Sequence, residues 1–234
     1  MASLLAFDTS TEVLTVAVLQ GDRIFEHRGE GGAAASAALL PAILRLLSDA
    51  GLAPASLDAV VFGRGPGSFT GLRTACSVAQ GFGWGAGVPV LPIDTLHAVA
   101  EDARHRFGSE RVMAVLDARM DQVYAAGYDF SKSSAVGVTE AVEPALLAPE
   151  QVELPVGWVM AGNAFEAYGE RLPSGGARHA ALPLATALLR LAPAMLAAGR
   201  AVAPELAQPV YVRDKVAQTT QERADAKAAA GGPR

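Results

Sequence analysis

The chain has 234 residues, 51% of them hydrophobic, and a formal net charge of −5. That acidic balance argues against a protein that grips nucleic acid by itself. The single cysteine, Cys76, excludes an intramolecular disulfide and fits a reducing cytoplasm, and no run of about 18 apolar residues reads as a membrane span.

The N-terminus runs straight into a strand-like segment with no basic region or cleavage site, so no secretion signal is expected. Residues 4–7 read as a short buried strand ending in Asp8-Thr9-Ser10-Thr11, and residues 14–19 and 23–27 as two more strands joined by the hairpin signal Gln20-Gly21-Asp22. A small-residue loop leads to Ser36 as a helix N-cap. The helix behind it carries Leu39, Leu40, Ile43, Leu44, Leu46 and Leu47 and stops before Gly51. Its apolar arc of roughly 160° is wider than one sheet-facing stripe requires, which fits a deeply covered core helix or a second, partner-facing stripe.

Residues 58–62 read as the next strand, followed by the loop Gly63-Arg64-Gly65-Pro66-Gly67-Ser68-Phe69-Thr70-Gly71 and a helix over about 70–86. Residues 88–93 read as a strand, with Asp94-Thr95 capping another helix. The first half is thus β-β-β-α-β-α-β-α, an antiparallel start continuing into parallel crossovers. In the second half, 111–116 and 122–128 read as a strand pair around Asp117-Ala118-Arg119, 131–134 as a turn, and 144–155 as a Pro-spaced connection. Residues 158–161 read as a strand running into Gly162-Asn163 and a short helix, and 183–198 as a helix that Pro193 should kink. Residues 209–213 read as extended, and 218–234 as a disordered tail. The chain divides into an N-terminal lobe, 1–107, and a C-terminal lobe, 108–217.

Two turns have the makings of anion cradles. Gly65, Gly67, Ser68, Thr70 and Gly71 lie where a strand passes into a helix, which gathers backbone N–H groups and the positive end of a helix dipole. No Lys-Ser/Thr follows the glycines, so this is not a Walker A loop. Three strands precede it, which speaks against a dinucleotide fingerprint even though Asp94 sits where a ribose acid would. Asp8, Thr9 and Ser10 form the second candidate, equally readable as a phosphate turn or as an Asx turn that caps its own backbone. Ser68 is not centred between glycines as in a nucleophile elbow, and Cys76 inside a helix reads as packing. His27, His97, His105 and His179 show no paired spacing, so neither a catalytic set nor a metal site is expected.

The helix after the glycine loop is small-faced. Ala75, Ala79, Gly81, Gly83, Gly85 and Ala86 leave Val78, Phe82 and Trp84 as its bulky apolar groups. Each helical glycine costs about 1 kcal/mol relative to Ala, so several together suggest close approach by another element: the protein's own sheet, a symmetric copy or a partner helix. Trp84 would be the anchor of such an interface.

The segments Leu5-Ala6-Phe7-Asp8-Thr9-Ser10, Gly65-Pro66-Gly67-Ser68-Phe69-Thr70-Gly71-Leu72-Arg73, Asp117-Ala118-Arg119 with Val123-Tyr124, and Tyr211-Val212-Arg213 together resemble the TsaB (YeaZ) family, to about Ala217. The resemblance implies the actin-like/sugar-kinase/Hsp70 ATPase (ribonuclease H-like) fold, an α/β architecture of two βββαβαβα-type lobes with the second reduced. It also implies a cytoplasmic, non-catalytic scaffold or activator subunit that dimerises with the catalytic paralogue TsaD and acts with TsaE. That complex transfers a threonylcarbamoyl group onto the adenosine beside the anticodon of tRNAs reading A-starting codons.

TsaD carries a histidine pair for its metal where this chain has only His97, and nucleotide-binding members have Asp-x-Gly where it has Asp117-Ala118-Arg119. No tightly bound cofactor is therefore implied, with ATP and metal on the partner subunits and tRNA met only through the complex. Asp8, Thr9, Ser10, Gly65, Gly67, Ser68, Thr70 and Gly71 become vestigial phosphate loops. The implied TsaD contact comprises Leu39, Leu40, Ile43, Leu44 and Leu47 of the first helix and Ala75, Val78, Ala79, Phe82 and Trp84 of the second. For the chain alone, a monomer and a homodimer through the same face are both open. Two departures touch it: Ala35-Ser36 replaces a usual His-Ser, and Leu72-Arg73-Thr74-Ala75 a usual Leu-Arg-Ile-Gly. The competing readings are an ATP-dependent small-molecule kinase of the same fold and, remotely, a peptidase.

Overall fold

An apolar run buried on both faces, β1 (Ser3–Asp8), sits at the centre of the first of two five-stranded sheets. β2 (Val13–Gln20) pairs with it antiparallel on one side, and β4 (Ala59–Gly65) pairs parallel on the other. β3 (Arg23–Glu30) and β5 (Val90–Asp94) form the edges, giving the order β3-β2-β1-β4-β5. This computed structural model describes residues 2–134 and 137–213; the tail expected from residue 218 lies outside them. Side chains alternate between faces. Leu5, Phe7, Val60 and Phe62 meet α1 (Ala35–Ala50) and α2 (Phe69–Ala86), while Leu4, Ala6, Ala59 and Val61 enter a second core on the opposite face.

The second sheet, β10-β9-β6-β7-β8, repeats this order. β6 (Arg111–Arg119), β7 (Gln122–Ser134) and β8 (Gly137–Leu147) stand for the first three strands, and β9 (Val159–Gly162) and β10 (Arg178–Ala180) for the parallel pair. Reduction falls on the helices. The position of α1 holds one 3₁₀ turn, Pro149–Gln151, and that of α2 holds the four-residue α4 (Phe165–Tyr168).

α3 (Thr95–Phe107) and α5 (Ala185–Ala197) are exchanged between the sheets. Leu96, Val99, Ala100 and Ala103 of α3 pack on Val112, Ala114 and Leu116 of the second sheet. Leu188, Leu191 and Ala192 of α5 pack on Leu4, Val61 and Leu91 of the first. Between the two helices, the buried Glu101 carboxylate accepts from Arg104 Nε at 2.6 Å and from Arg190 Nε at 2.9 Å.

Four local expectations are corrected. Ser36 lies inside the first turn of α1 rather than at its N-cap, because the 3₁₀ turn Gly32–Ala34 starts the helix at Ala35. Residues 131–134 extend β7 instead of turning. β8 was hidden by Pro144, which is tolerated because the strand is an edge and its register with β7 skips there, pairing Gly127 with Val142 and Ala125 with Ala145. α5 runs unbroken through Pro193, which lies on its exposed face.

Removing Glu101 would strip the shared anion from two arginines. Glu101→Ala is expected to lower the unfolding free energy by about 2 kcal/mol, less than for a fully buried pair because both arginines can rehydrate. Arg190→Ala, which leaves Arg104 on the carboxylate, should cost about half as much, and urea denaturation of the two variants measures both.

Candidate functional site

The two turns singled out in the sequence meet at the C-terminal ends of β1 and β4. Asp8, Thr9, Ser10 and Thr11 are all buried. Asp8 Oδ1 accepts from the Ser10 N–H at 2.8 Å and from Ser10 Oγ at 2.6 Å, which closes an Asx turn. The glycine loop lies directly on this turn. The Ser68 N–H donates to Ser10 O at 2.8 Å, and Thr9 Oγ1 donates to Gly71 O at 2.7 Å.

A Cβ on Gly63 would stand 1.7 Å from Asp8 Oδ2, one on Gly67 2.6 Å from Ser10 Cβ, and one on Gly71 1.8 Å from Thr9 O. The space these glycines leave is therefore filled by the chain's own first turn. Gly65 differs: its φ of +118° favours glycine, and a Cβ there would lie 2.6 Å from Val210 O, on a segment that returns late in the chain. Ser68 caps α2 by accepting weakly from the Gly71 N–H at 3.5 Å, and Thr70 stands exposed on the first turn of that helix. Asp94 is held by Arg64 at 2.7 and 3.2 Å, and Thr95 Oγ1 accepts from the Gly65 N–H at 3.1 Å, so both groups serve the loop's own structure.

The equivalent turn of the second sheet is also engaged. Tyr168 Oη donates to Asp117 Oδ1 at 2.8 Å, Arg119 Nη1 stands 2.9 Å from Asp117 Oδ2, and the Asp117 N–H donates to Asn163 Oδ1 at 2.9 Å. Burial, aided by the bond to Asp117, pushes the Tyr168 hydroxyl up to about 12, so it remains a donor. Tyr168 is a neighbour of Asp117 that the motif alone did not reveal, because it comes from α4, and Asn163 directly follows β9. A cavity of about 400 Å³ lies between the two turns, walled by Ser10, Phe69, Asp117, Tyr124, Tyr211 and Arg213 among others. The glycine cradle is thus filled by the first turn, and the second aspartate is paired.

His97 stacks on Tyr128 with ring centroids 4.8 Å apart. Burial pushes its pKa down to about 4, which keeps it neutral. Among the described residues, no cluster of three His, Cys, Asp or Glu side chains is placed to hold a metal ion.

The helices expected at an interface divide by face. Leu39, Ile43, Leu47, Ala75 and Ala79 are buried in the chain's own core, which corrects their assignment to a contact surface: each is at most 2% exposed and cannot reach a partner. Leu40, Leu44 and Trp84 are 45%, 51% and 70% exposed, with Val78 and Phe82 half-buried beside them. The glycines of α2 divide the same way. A Cβ on Gly83 would lie 2.8 Å from Val90, whereas one on Gly81 or Gly85 would meet no described atom within 4 Å. The chain's own packing accounts for Gly83 and leaves Gly81 and Gly85 unexplained. At the departures from the family pattern, Ala35 and Ala75 are buried and Thr74 Oγ1 donates to Thr70 O at 3.0 Å.

Two five-stranded sheets of repeated order, facing turns and crossed α3 and α5 define the actin-like ATPase class of fold. The family model described as TsaD, tRNA N6-adenosine threonylcarbamoyltransferase, matches residues 30–229. The tRNA threonylcarbamoyladenosine biosynthesis protein TsaB of Escherichia coli K12 is 34% identical over 92% of this chain and 96% of its own length. TsaB of Haemophilus influenzae is also 34% identical, over 92% and 94%. The solved structure of YeaZ from Pseudomonas aeruginosa is 40% identical, with a TM-score of 0.83 over 90% of this chain and 100% of that one. The chain belongs to the TsaB family.

Asp8 Oδ2 is buried with no hydrogen-bond partner among the described residues, and burial pushes the carboxyl up to about 6, against the opposing effect of its Ser10 bonds. A raised carboxyl pKa in the folded state means that ionisation opposes folding. The penalty is absent below about pH 4, grows between pH 4 and 6, and is full above that. The stability of Asp8→Asn relative to the parent should therefore rise by up to about 3 kcal/mol between pH 4 and pH 8, read from urea unfolding at each pH.

Proposed function

We propose that this chain is a non-catalytic subunit of tRNA threonylcarbamoyladenosine biosynthesis, binding TsaD through the exposed stripe of α1 and α2. The observation that carries the reading is Trp84, 70% exposed on a helix whose neighbouring Gly81 and Gly85 have open space where a side chain would stand. Two helical glycines that destabilise the isolated chain and serve no contact among the described residues make sense when another backbone approaches there. Leu40 and Leu44 of α1 extend the same apolar surface. The match of this chain to the TsaD model adds a reason for the pairing: two chains of one fold can present equivalent helix pairs to each other about a pseudo-twofold axis.

In this reading, ATP and metal belong to the partner subunits, TsaE joins the pair, and tRNA is engaged through the assembly, in keeping with the net charge of −5. The free, buried Cys76 suits a reducing cytoplasm. A homodimer through the same stripe is the state proposed for the chain without TsaD. The filled glycine cradle speaks against the kinase reading, and the lack of a three-residue metal-holding cluster among the described residues against a metallopeptidase.

Mutation at the stripe should separate binding from folding. Gly81→Ala and Gly85→Ala are expected to stabilise the isolated chain by up to about 1 kcal/mol each while weakening its complex with the cognate TsaD. Trp84→Asp should abolish co-elution with TsaD at micromolar concentration and leave the melting temperature within a few degrees of the parent. Ile43→Asp, in the core, should unfold the chain. Co-elution unaffected by all three stripe variants would overturn the assignment.

A further inference from the structure

The late segment Tyr211-Val212-Arg213 is not used by the filled turns or by the exposed helix stripe, yet it touches both lobes. It follows a strand-like return along α2, where Ala207 O accepts from Gln80 Nε2 at 2.9 Å and Val202 bridges Val90. The Val210 N–H then donates to Arg64 O at 2.7 Å, which seats the chain against Gly65. Tyr211 leans on the first turn of α2: its ring lies 5.4 Å from that of Phe69, and its hydroxyl accepts from Arg73 Nε at 3.1 Å. Arg73 in turn stacks over Phe69 at 3.9 Å.

One residue later the contacts change lobe. Val212 packs into the core of the second sheet. Arg213 Nη2 donates to Ala118 O at 2.9 Å, Arg119 O at 3.3 Å and Gln122 Oε1 at 2.9 Å, and its Nη1 lies 3.0 Å from Met120 Sδ. These bonds grip the β6–β7 turn, whose Arg119, Met120 and Asp121 have φ of +61°, +54° and +56°. Three consecutive left-handed residues with side chains persist only where surroundings over-determine them. Here Arg213 holds the turn's carbonyls, while Arg171 holds Asp121 at 2.7 Å.

The turns of the two lobes face each other across the cavity of about 400 Å³. We propose that Tyr211-Val212-Arg213 is an interlobe clasp that spans it. It ties the first turn of α2 to the left-handed β6–β7 turn and so fixes the separation of the lobes without a ligand. The clasp acts within one chain and stands whether or not the α1–α2 stripe binds TsaD.

Amide hydrogen exchange of the full chain tests it, with residues 68–73 and 118–122 as the two reporters. Arg213→Lys keeps the charge but loses the fork. It should speed exchange about tenfold in 118–122 and also in 68–73, which Arg213 does not touch. Tyr211→Phe loses the Arg73 hydrogen bond and should speed exchange about threefold in 118–122, across the cleft. Changes confined to the segment that each altered side chain touches would overturn the clasp and leave two local contacts. If Arg213→Lys loses protection throughout the molecule, Tyr211→Phe decides alone: a response in 118–122 supports the clasp and none overturns it.

Discussion

The loop after β4 lies against the turn after β1 with no space between them, and the geometry of the first lobe depends on that contact. Gly63, Gly67 and Gly71 each face one residue of the Asp8-Thr9-Ser10 turn at a distance no side chain could occupy. Two cross-turn hydrogen bonds, from Ser68 N–H and Thr9 Oγ1, lock the pair. The same glycines that permit a phosphate to approach a backbone permit a second backbone to do so, and here the second backbone is in place. Its consequence is mechanical: the loop fixes how α2 leaves the sheet, and α2 carries Gly81, Trp84 and Gly85 on its outer side.

The second lobe is held to this frame by exchange rather than by a simple interface. α3 belongs in sequence to the first lobe and packs on the second sheet, while α5 does the reverse. Glu101 joins them through Arg190. α3 covers one face of the second sheet through Val112, Ala114 and Leu116, while Val152, Ala164 and Tyr168 cover the other, against Met113 and Val115.

Much of this was legible in the residues. The β-β-β-α-β-α-β-α order of the first half followed from apolar runs, hairpin signals and the glycine loop, because buried strands leave a strong pattern. β8 and β10 did not. Pro144 reads as a break unless the strand is known to be an edge with a register skip, and a three-residue strand such as Arg178–Ala180 carries no period. The glycine loop was recognised as a cradle, but its occupant was hidden, since contact between residues 8–10 and 63–71 is a property of the fold. The wide apolar arc of α1 was ambiguous for a similar reason. Helical spacing puts Leu39 and Leu40 in one arc, and only the sheet decides that Leu39 is core and Leu40 surface.

The glycine cradle holds the chain's own first turn, which a phosphate there would have to displace. Calorimetric titration of the isolated chain with Mg-ATP addresses this directly. No saturable heat is expected up to millimolar nucleotide. Saturable binding in the micromolar range that is lost on Asp8→Ala would contradict it, because the two turns would then have to part and accept phosphate between them.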